Sequence, residues 1–218
     1  MIRLSPSTLN LFLECPRCFW LHFNKEIQRP RGIFPSLPGG MDRVIKEYYN
    51  GYRKMKKLPP ELEGKVEGLL FPEEVLLEEW RDWRKGLSYE DKTLDVVFRG
   101  ALDECLVKDE FYIPLDYKTK GSAPNQEDSE KYYQNQLDCY CLLLELNKRP
   151  TCSLGYLVYY YPGKVEKNGI VQFNVKPIKM ETEPFRAKET LEKAAKLLKG
   201  PRPESEGCAY CEYTGKFE

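Results

Sequence analysis

The stretch Phe98–Gly121, FRGALDECLVKDEFYIPLDYKTKG, decides how this chain is read. Two apolar runs flank Asp109-Glu110, and each carries an aspartate, Asp103 in the first and Asp116 in the second. If the runs are antiparallel strands joined by a two-residue loop, Lys108 faces Phe111 and the register puts Asp103 opposite Asp116. A four-residue loop keeps that register. Directly opposed side chains share a face, with Cβ atoms about 5 Å apart. Lys118, two residues past Asp116, points to the same face. Pro114 has no N–H to give to a ladder, so it implies an edge strand or a local irregularity.

Two carboxylates so close repel unless a cation lies between them. Hard oxygen donors suit Mg²⁺ or Mn²⁺. A neighbouring lysine suits an anionic substrate or an attacking water. Together these parts fit metal-assisted hydrolysis of a phosphodiester, with Lys118 positioning the nucleophile and stabilising the transition state. On the pattern alone, Asp103 and Asp116 are equally read as solvated positions on an exposed sheet face.

GALD at 100–103, DYK at 116–118 and QLDCY at 136–140 follow one another in the order of a G-x-x-D strand, a (D/E)-x-K strand and a Q-x-x-x-Y helix. In this the chain resembles the PD-(D/E)XK nuclease superfamily, and within it the RecB-like branch that includes CRISPR-associated iron–sulfur exonucleases. The resemblance spans nearly the whole chain. It implies a restriction-endonuclease-like α/β fold, a mixed central sheet flanked by helices, with the termini joined by a four-cysteine metal site. One domain over 1–218 is expected, with its core at about 94–176, a helical part at 5–90, and a helix and cysteine tail at 184–218. The implied activity is metal-dependent DNA hydrolysis, as an exonuclease on single-stranded ends. DNA and a protein of CRISPR adaptation or repair would be the partners. Gln136 and Tyr140, one helical turn apart, would face the metal and the DNA backbone. Core packing is the alternative for Tyr140. RecB-like nucleases complete the metal site with a histidine on a helix after a glycine-containing loop. Here GGMDRVIKEYY at 39–49 stands in that place, and Asp42 takes the histidine's position. Asp42 is therefore expected as a third ligand beside Asp103 and Asp116. Its other reading is a carboxylate near a helix start, favoured by the helix dipole.

CPRC at 15–18 and CAYC at 208–211 are two C-x-x-C pairs, each able to present both sulfurs to one metal. Two pairs far apart in sequence suggest a four-thiolate site of Cys15, Cys18, Cys208 and Cys211, holding an iron–sulfur cluster or zinc. The resemblance favours a [4Fe–4S] cluster, although the related nucleases split their cysteines one and three where this chain splits them two and two. Zn²⁺ remains the alternative. Cys105, Cys139, Cys141 and Cys152 read as small buried residues.

The charge is balanced, with 34 Lys plus Arg against 34 Asp plus Glu, so any nucleic-acid surface must be local. The run Arg53-Lys54-Met55-Lys56-Lys57 is one such place. The chain has a single histidine, His22, which excludes a multi-histidine zinc site and restricts any histidine relay to one residue. No apolar leader and no membrane-length apolar run is seen, so a cytoplasmic protein with reduced or metal-bound cysteines is expected. A nucleic-acid-binding module that does not cut, with a structural four-cysteine site, is the rival function. The intact Asp-x-Lys argues for the enzyme.

Helices are expected from Ser5-Pro6, from Met41, around 73–85, from Lys131 and over 184–198. Loops are expected at 34–40 and 121–130. Strands are expected between Leu94 and Thr119 and on both sides of Gly163–Gly169. Tyr156, Tyr159, Tyr160 and Tyr161 are expected to alternate between core and surface.

Overall fold

Ser5 caps the first helix through a reciprocal pair of bonds with Thr8, and Pro6 occupies the first helical position, where its missing N–H costs nothing. The computed structural model describes residues 1–30, 32, 36–205 and 207–214. A short strand, β1 (Ile2–Leu4), precedes α1 (Pro6–Glu14). Cys15 then ends α1 and caps α2 (Pro16–Asn24), so the two thiols of the first C-x-x-C lie on a helix–helix corner.

The next helix, α3, runs Ser36–Lys54 and begins earlier than expected. The glycines at 39 and 40 lie inside it, and the rest of the anticipated loop, residues 34 and 35, falls outside the described residues. Asp42 is thus in the second turn rather than at the helix start. After β2 (Leu69–Leu70) come α4 (Glu74–Arg81) and β3 (Leu87–Asp91), a strand the sequence reading missed. Then follow β4 (Val96–Gly100), β5 (Glu104–Lys108) and β6 (Phe111–Thr119). The helix α5 spans Gln126–Leu146 and starts five residues before the expected position. Asn125 accepts the Asp128 N–H as its cap, and Glu127 and Asp128 place negative charge in its first turn. The chain ends with β7 (Leu154–Val165), β8 (Val171–Glu181), α6 (Pro184–Leu198) and the single turn α7 (Cys211–Thr214).

The architecture is the expected mixed α/β one, with the strands divided between two mixed sheets. One has the order β1-β4-β3 and the other β2-β5-β6-β7-β8. The chain passes from one to the other at residues 101–103. Gly100 makes this crossing possible: a Cβ there would lie 2.8 Å from Leu143 Cδ1 and 3.3 Å from Tyr140 Cε1, so only glycine lets α5 close on the end of β4.

The β5–β6 hairpin has the expected register, with Lys108 opposite Phe111 and Glu104 opposite Leu115. β6 is an interior strand, parallel to β7. Pro114 is nevertheless tolerated there. The contact with the β7 side is an isolated bridge at Tyr112–Thr151 and resumes as a ladder only from Leu115–Tyr156, so Pro114 falls in the interruption.

The five-stranded sheet is covered on both faces. Ile113, Leu115, Tyr117, Tyr156, Val158 and Tyr160 pack with Ile45 and Tyr49 of α3. Leu157 and Tyr159 pack with Leu137, Leu143 and Leu144 of α5, and Ala187 and Leu191 of α6 join the same core. The β7 tyrosines therefore do not alternate between core and surface: Tyr156, Tyr159 and Tyr160 are all buried, as expected of a strand with a layer on each side. Each fully buried large side chain contributes about 1.5–3 kcal/mol. Among the described residues no helix is long and apolar enough to cross a membrane.

Candidate active site and thiolate centre

The pleat of β6 separates two sets of side chains. Asp116 and Lys118 face α5, whereas Tyr117 and the Glu104 bonded to it face α3. Asp116 is 1% exposed. Its Oδ1 accepts from Gln136 Nε2 at 2.9 Å. Its Oδ2 is buried and forms an ion pair with Lys118 Nζ. Burial pushes the Asp116 carboxyl up to about 6, Lys118 opposes this, and Asp103 beside it adds to it.

Gln136 ties the group together. Its Oε1 accepts from Lys118 Nζ at 3.1 Å, and its Nε2 also reaches Tyr140 Oη at 2.7 Å. Lys118 further lies over the Tyr133 ring, 4.5 Å from its centroid. Burial alone would lower the Lys118 pKa, but Asp116, with Asp103 behind it, raises it, so the ammonium keeps its proton. Tyr140 is buried among apolar residues, as its core-packing reading expects, and its hydroxyl bonds to Gln136.

Lys46 of α3 was not singled out in the sequence. Its Nζ donates to Asp103 Oδ1 at 2.8 Å and to Asp42 Oδ2 at 2.9 Å. Burial lowers its pKa, and the two carboxylates raise it by more. Asp42 therefore faces the site, but across an ammonium. Asp42, Lys118, Ile45 and Tyr117 line a shallow cleft of about 280 Å³.

The hairpin stands on a second missed group. Glu104 is fully buried on the α3 face. Its Oε2 accepts from Arg53 Nη2 at 2.5 Å, Tyr117 Oη at 3.0 Å and Arg81 Nη2 at 3.1 Å, and its Oε1 accepts from the Cys105 N–H. Arg81 Nε also donates to the Asp103 carbonyl at 2.7 Å, fixing the backbone that carries the first aspartate. Arg53 additionally donates to the Phe71 carbonyl and is buried, so the basic run at 53–57 loses its first residue as a nucleic-acid contact.

A divalent cation fits this set. Asp116 is a buried carboxylate beside Asp103, and two carboxylates so placed favour positive charge between them, which the Lys118 ammonium supplies only at Asp116. A second cleft, about 550 Å³, opens beside the network and is lined by Gln136, Tyr140, Arg3, Arg99 and the exposed Trp83.

At the other end, Cys15, Cys18, Cys208 and Cys211 come together as expected. Cys15 and Cys211 sulfurs are 3.7 Å apart, Cys18 and Cys208 are 3.5 Å apart, and Cys208 and Cys211 are 3.3 Å apart. Among the described residues this is the only group of three or more His, Cys, Asp or Glu with ligand atoms all within 4.8 Å. Burial pushes the Cys15 thiol up to about 12. At Cys208 burial also raises the pKa, but hydrogen bonds from Cys211, the Tyr210 backbone and the other two thiols outweigh it and bring it down to about 6. Such a quartet can bind a metal. Cys105, Cys139 and Cys141 are buried and Cys152 is half-buried, and the His22 ring packs edge-on against Phe23.

The family model of the PD-(D/E)XK nuclease superfamily matches residues 3–215. No curated protein matches the chain.

Proposed function

The chain belongs to the PD-(D/E)XK nuclease superfamily, and from that premise we propose that it is a metal-dependent deoxyribonuclease of the RecB-like branch, acting as an exonuclease on single-stranded ends. Its support is one network: Asp116, Lys118, Gln136 and Tyr140 are joined by hydrogen bonds and an ion pair, with Asp103 against Asp116.

Asp103 and Asp116 would hold Mg²⁺ or Mn²⁺, with Asp42 as third ligand, and the ion would supply Lewis acidity toward the phosphate and a more acidic bound water. Lys118, kept protonated by Asp116, presents its ammonium to the scissile phosphate and the attacking water. Gln136 holds both Asp116 and Lys118 in place, and Tyr140 fixes the Gln136 amide. Lys46 neutralises Asp42 and Asp103, and would have to give way to an ion held by them. In the adjoining cleft Arg3 and Arg99 suit phosphates, and the exposed indole of Trp83 suits an unpaired base. This favours a single strand over a duplex.

The test is end-labelled single-stranded and duplex DNA incubated with Mn²⁺, using the parent protein, Asp103→Ala, Asp116→Ala and Lys118→Ala. Stepwise shortening of the single strand by the parent is expected. Both aspartate variants should be inactive and the lysine variant should lose about 10²–10³ in rate. Normal DNA binding without cleavage in either metal would favour the non-cutting binding module. Cleavage by Asp116→Ala at the parent rate would remove the assignment.

A further inference from the structure

The thiolate centre is spaced for one ion. Its neighbouring sulfurs stand 3.3–3.7 Å apart, and no two ligand atoms are more than 4.8 Å from each other. Four thiolates bound at about 2.3 Å to one tetrahedral ion have sulfur–sulfur separations of about 3.8 Å. In a four-iron cluster each cysteine binds a different iron at a separate corner, with irons and sulfides filling the centre, so the cysteine sulfurs must spread to roughly 6 Å. The first geometry matches and the second does not.

We infer that Cys15, Cys18, Cys208 and Cys211 form a closed tetrahedral site for a single Zn²⁺ or Fe²⁺ ion rather than an iron–sulfur cluster. The inference concerns the thiolates alone and does not depend on the nuclease reading. Each C-x-x-C contributes two ligands from one tight corner. At the first, the Cys18 N–H donates to Cys15 Sγ at 3.4 Å, a bond that compensates thiolate charge. Four thiolates on a divalent ion leave two excess negative charges, and Arg29 offsets part of this: its Nη2 reaches Cys208 Sγ at 3.8 Å, its Nη1 pairs with Glu14, and its guanidinium lies over the Tyr210 ring.

The segment that leads to the second pair is anchored on α2, the helix of the first: Trp20 Nε1 donates to the Gly200 carbonyl at 3.1 Å and Asn24 Nδ2 to that of Leu198 at 3.4 Å. Cys15, Cys18 and Cys211 are already buried at the present spacing. All four positions around the ion are filled by protein, so the site is structural, with no vacancy for substrate.

The experiment is anaerobic purification of the full chain, with zinc, iron and acid-labile sulfide measured per chain. About one ion and no sulfide is expected, and the identity of the ion separates zinc from mononuclear iron. Iron and sulfide in the four-to-four proportion of a cluster would overturn the inference. If the protein emerges metal-free, Co²⁺ titration decides: the intense visible bands of tetrahedral thiolate cobalt should saturate at one equivalent in the parent. Those bands should be lost or altered in Cys18→Ser and Cys208→Ser. Absence of the bands in the parent, or saturation at another stoichiometry, overturns it.

Discussion

Lys46 Nζ lies 2.8 Å from Asp103 Oδ1, joining a helix to a hairpin residue 57 positions later. The same ammonium holds Asp42. It thus occupies the charge position between two proposed metal ligands and competes with any ion that binds them. Lys46→Met should bind Mn²⁺ about tenfold more tightly, a change of about 1.4 kcal/mol, and should lose stability without metal because two carboxylates lose their counter-ion. Calorimetric titration and melting with and without Mn²⁺ check both arms. Unchanged affinity would mean that Lys46 stays in place when metal binds.

Asp42→Asn separates ligand from spectator. Asparagine keeps the shape and a hydrogen bond to Lys46 but is a poorer donor to a hard cation. Cleavage should fall at low Mn²⁺ and recover in part as Mn²⁺ is raised. Full activity at limiting metal would leave Asp42 as a partner of Lys46 only.

Asp116 should make the metal-free protein more stable in acid. Its folded pKa, about 6, lies above the unfolded value of about 3.9. The proton is therefore bound more tightly in the folded state, and that stabilisation is complete below about pH 4 and disappears as pH rises through about 6. Asp116→Asn, which mimics the protonated form, should be flat across that window and more stable than the parent above it, by about 3 kcal/mol. Urea unfolding in chelator at pH 4, 6 and 8 measures it. A parent whose stability rises as much as the variant's over that range would contradict the sign.

Glu104→Ala should be among the most damaging substitutions in the chain. It leaves Arg53 and Arg81 buried without their shared counter-ion, a situation that costs about 3–5 kcal/mol. It also frees the Arg81 that holds the Asp103 carbonyl. A large drop in melting temperature is expected, and Glu104→Gln should recover part of it. Wild-type melting in Glu104→Ala would show that water reaches the arginines.

Trp83→Ala should weaken single-strand binding by about 1–3 kcal/mol while leaving melting unchanged, since the indole is exposed. Fluorescence anisotropy with a labelled oligonucleotide reads it. Equal loss on duplex would argue against base stacking.

The hairpin register was legible because strand pairing is local: once Asp109-Glu110 is the turn, every opposed pair follows. Gln136 and Tyr140 were legible through the resemblance of QLDCY to a Q-x-x-x-Y helix, with helical spacing adding only that they share a face, and the four cysteines were legible from paired motifs. Lys46 and the Glu104 group were not. No local pattern marks a lysine on α3 as the partner of an aspartate on the hairpin, and Glu104 looks like an ordinary polar position until Arg53 and Arg81 are brought beneath it by tertiary packing. β1 and β3 escaped for a related reason. Three residues of β1 pair in parallel with β4 some ninety residues later, and nothing near Ile2 announces it. The early start of α5 was readable: Asn125 followed by Glu127 and Asp128 is a capping signal overlooked within a polar run.

The cysteine quartet also places a constraint on biosynthesis. Cys18 is synthesised 190 residues before Cys208, its partner across the quartet. Until that span is complete the first pair is an incomplete chelate. A chain arrested before Cys208 retains the hairpin and its charged residues yet never closes the quartet, so closure distinguishes a chain finished through Cys211 from a truncated one.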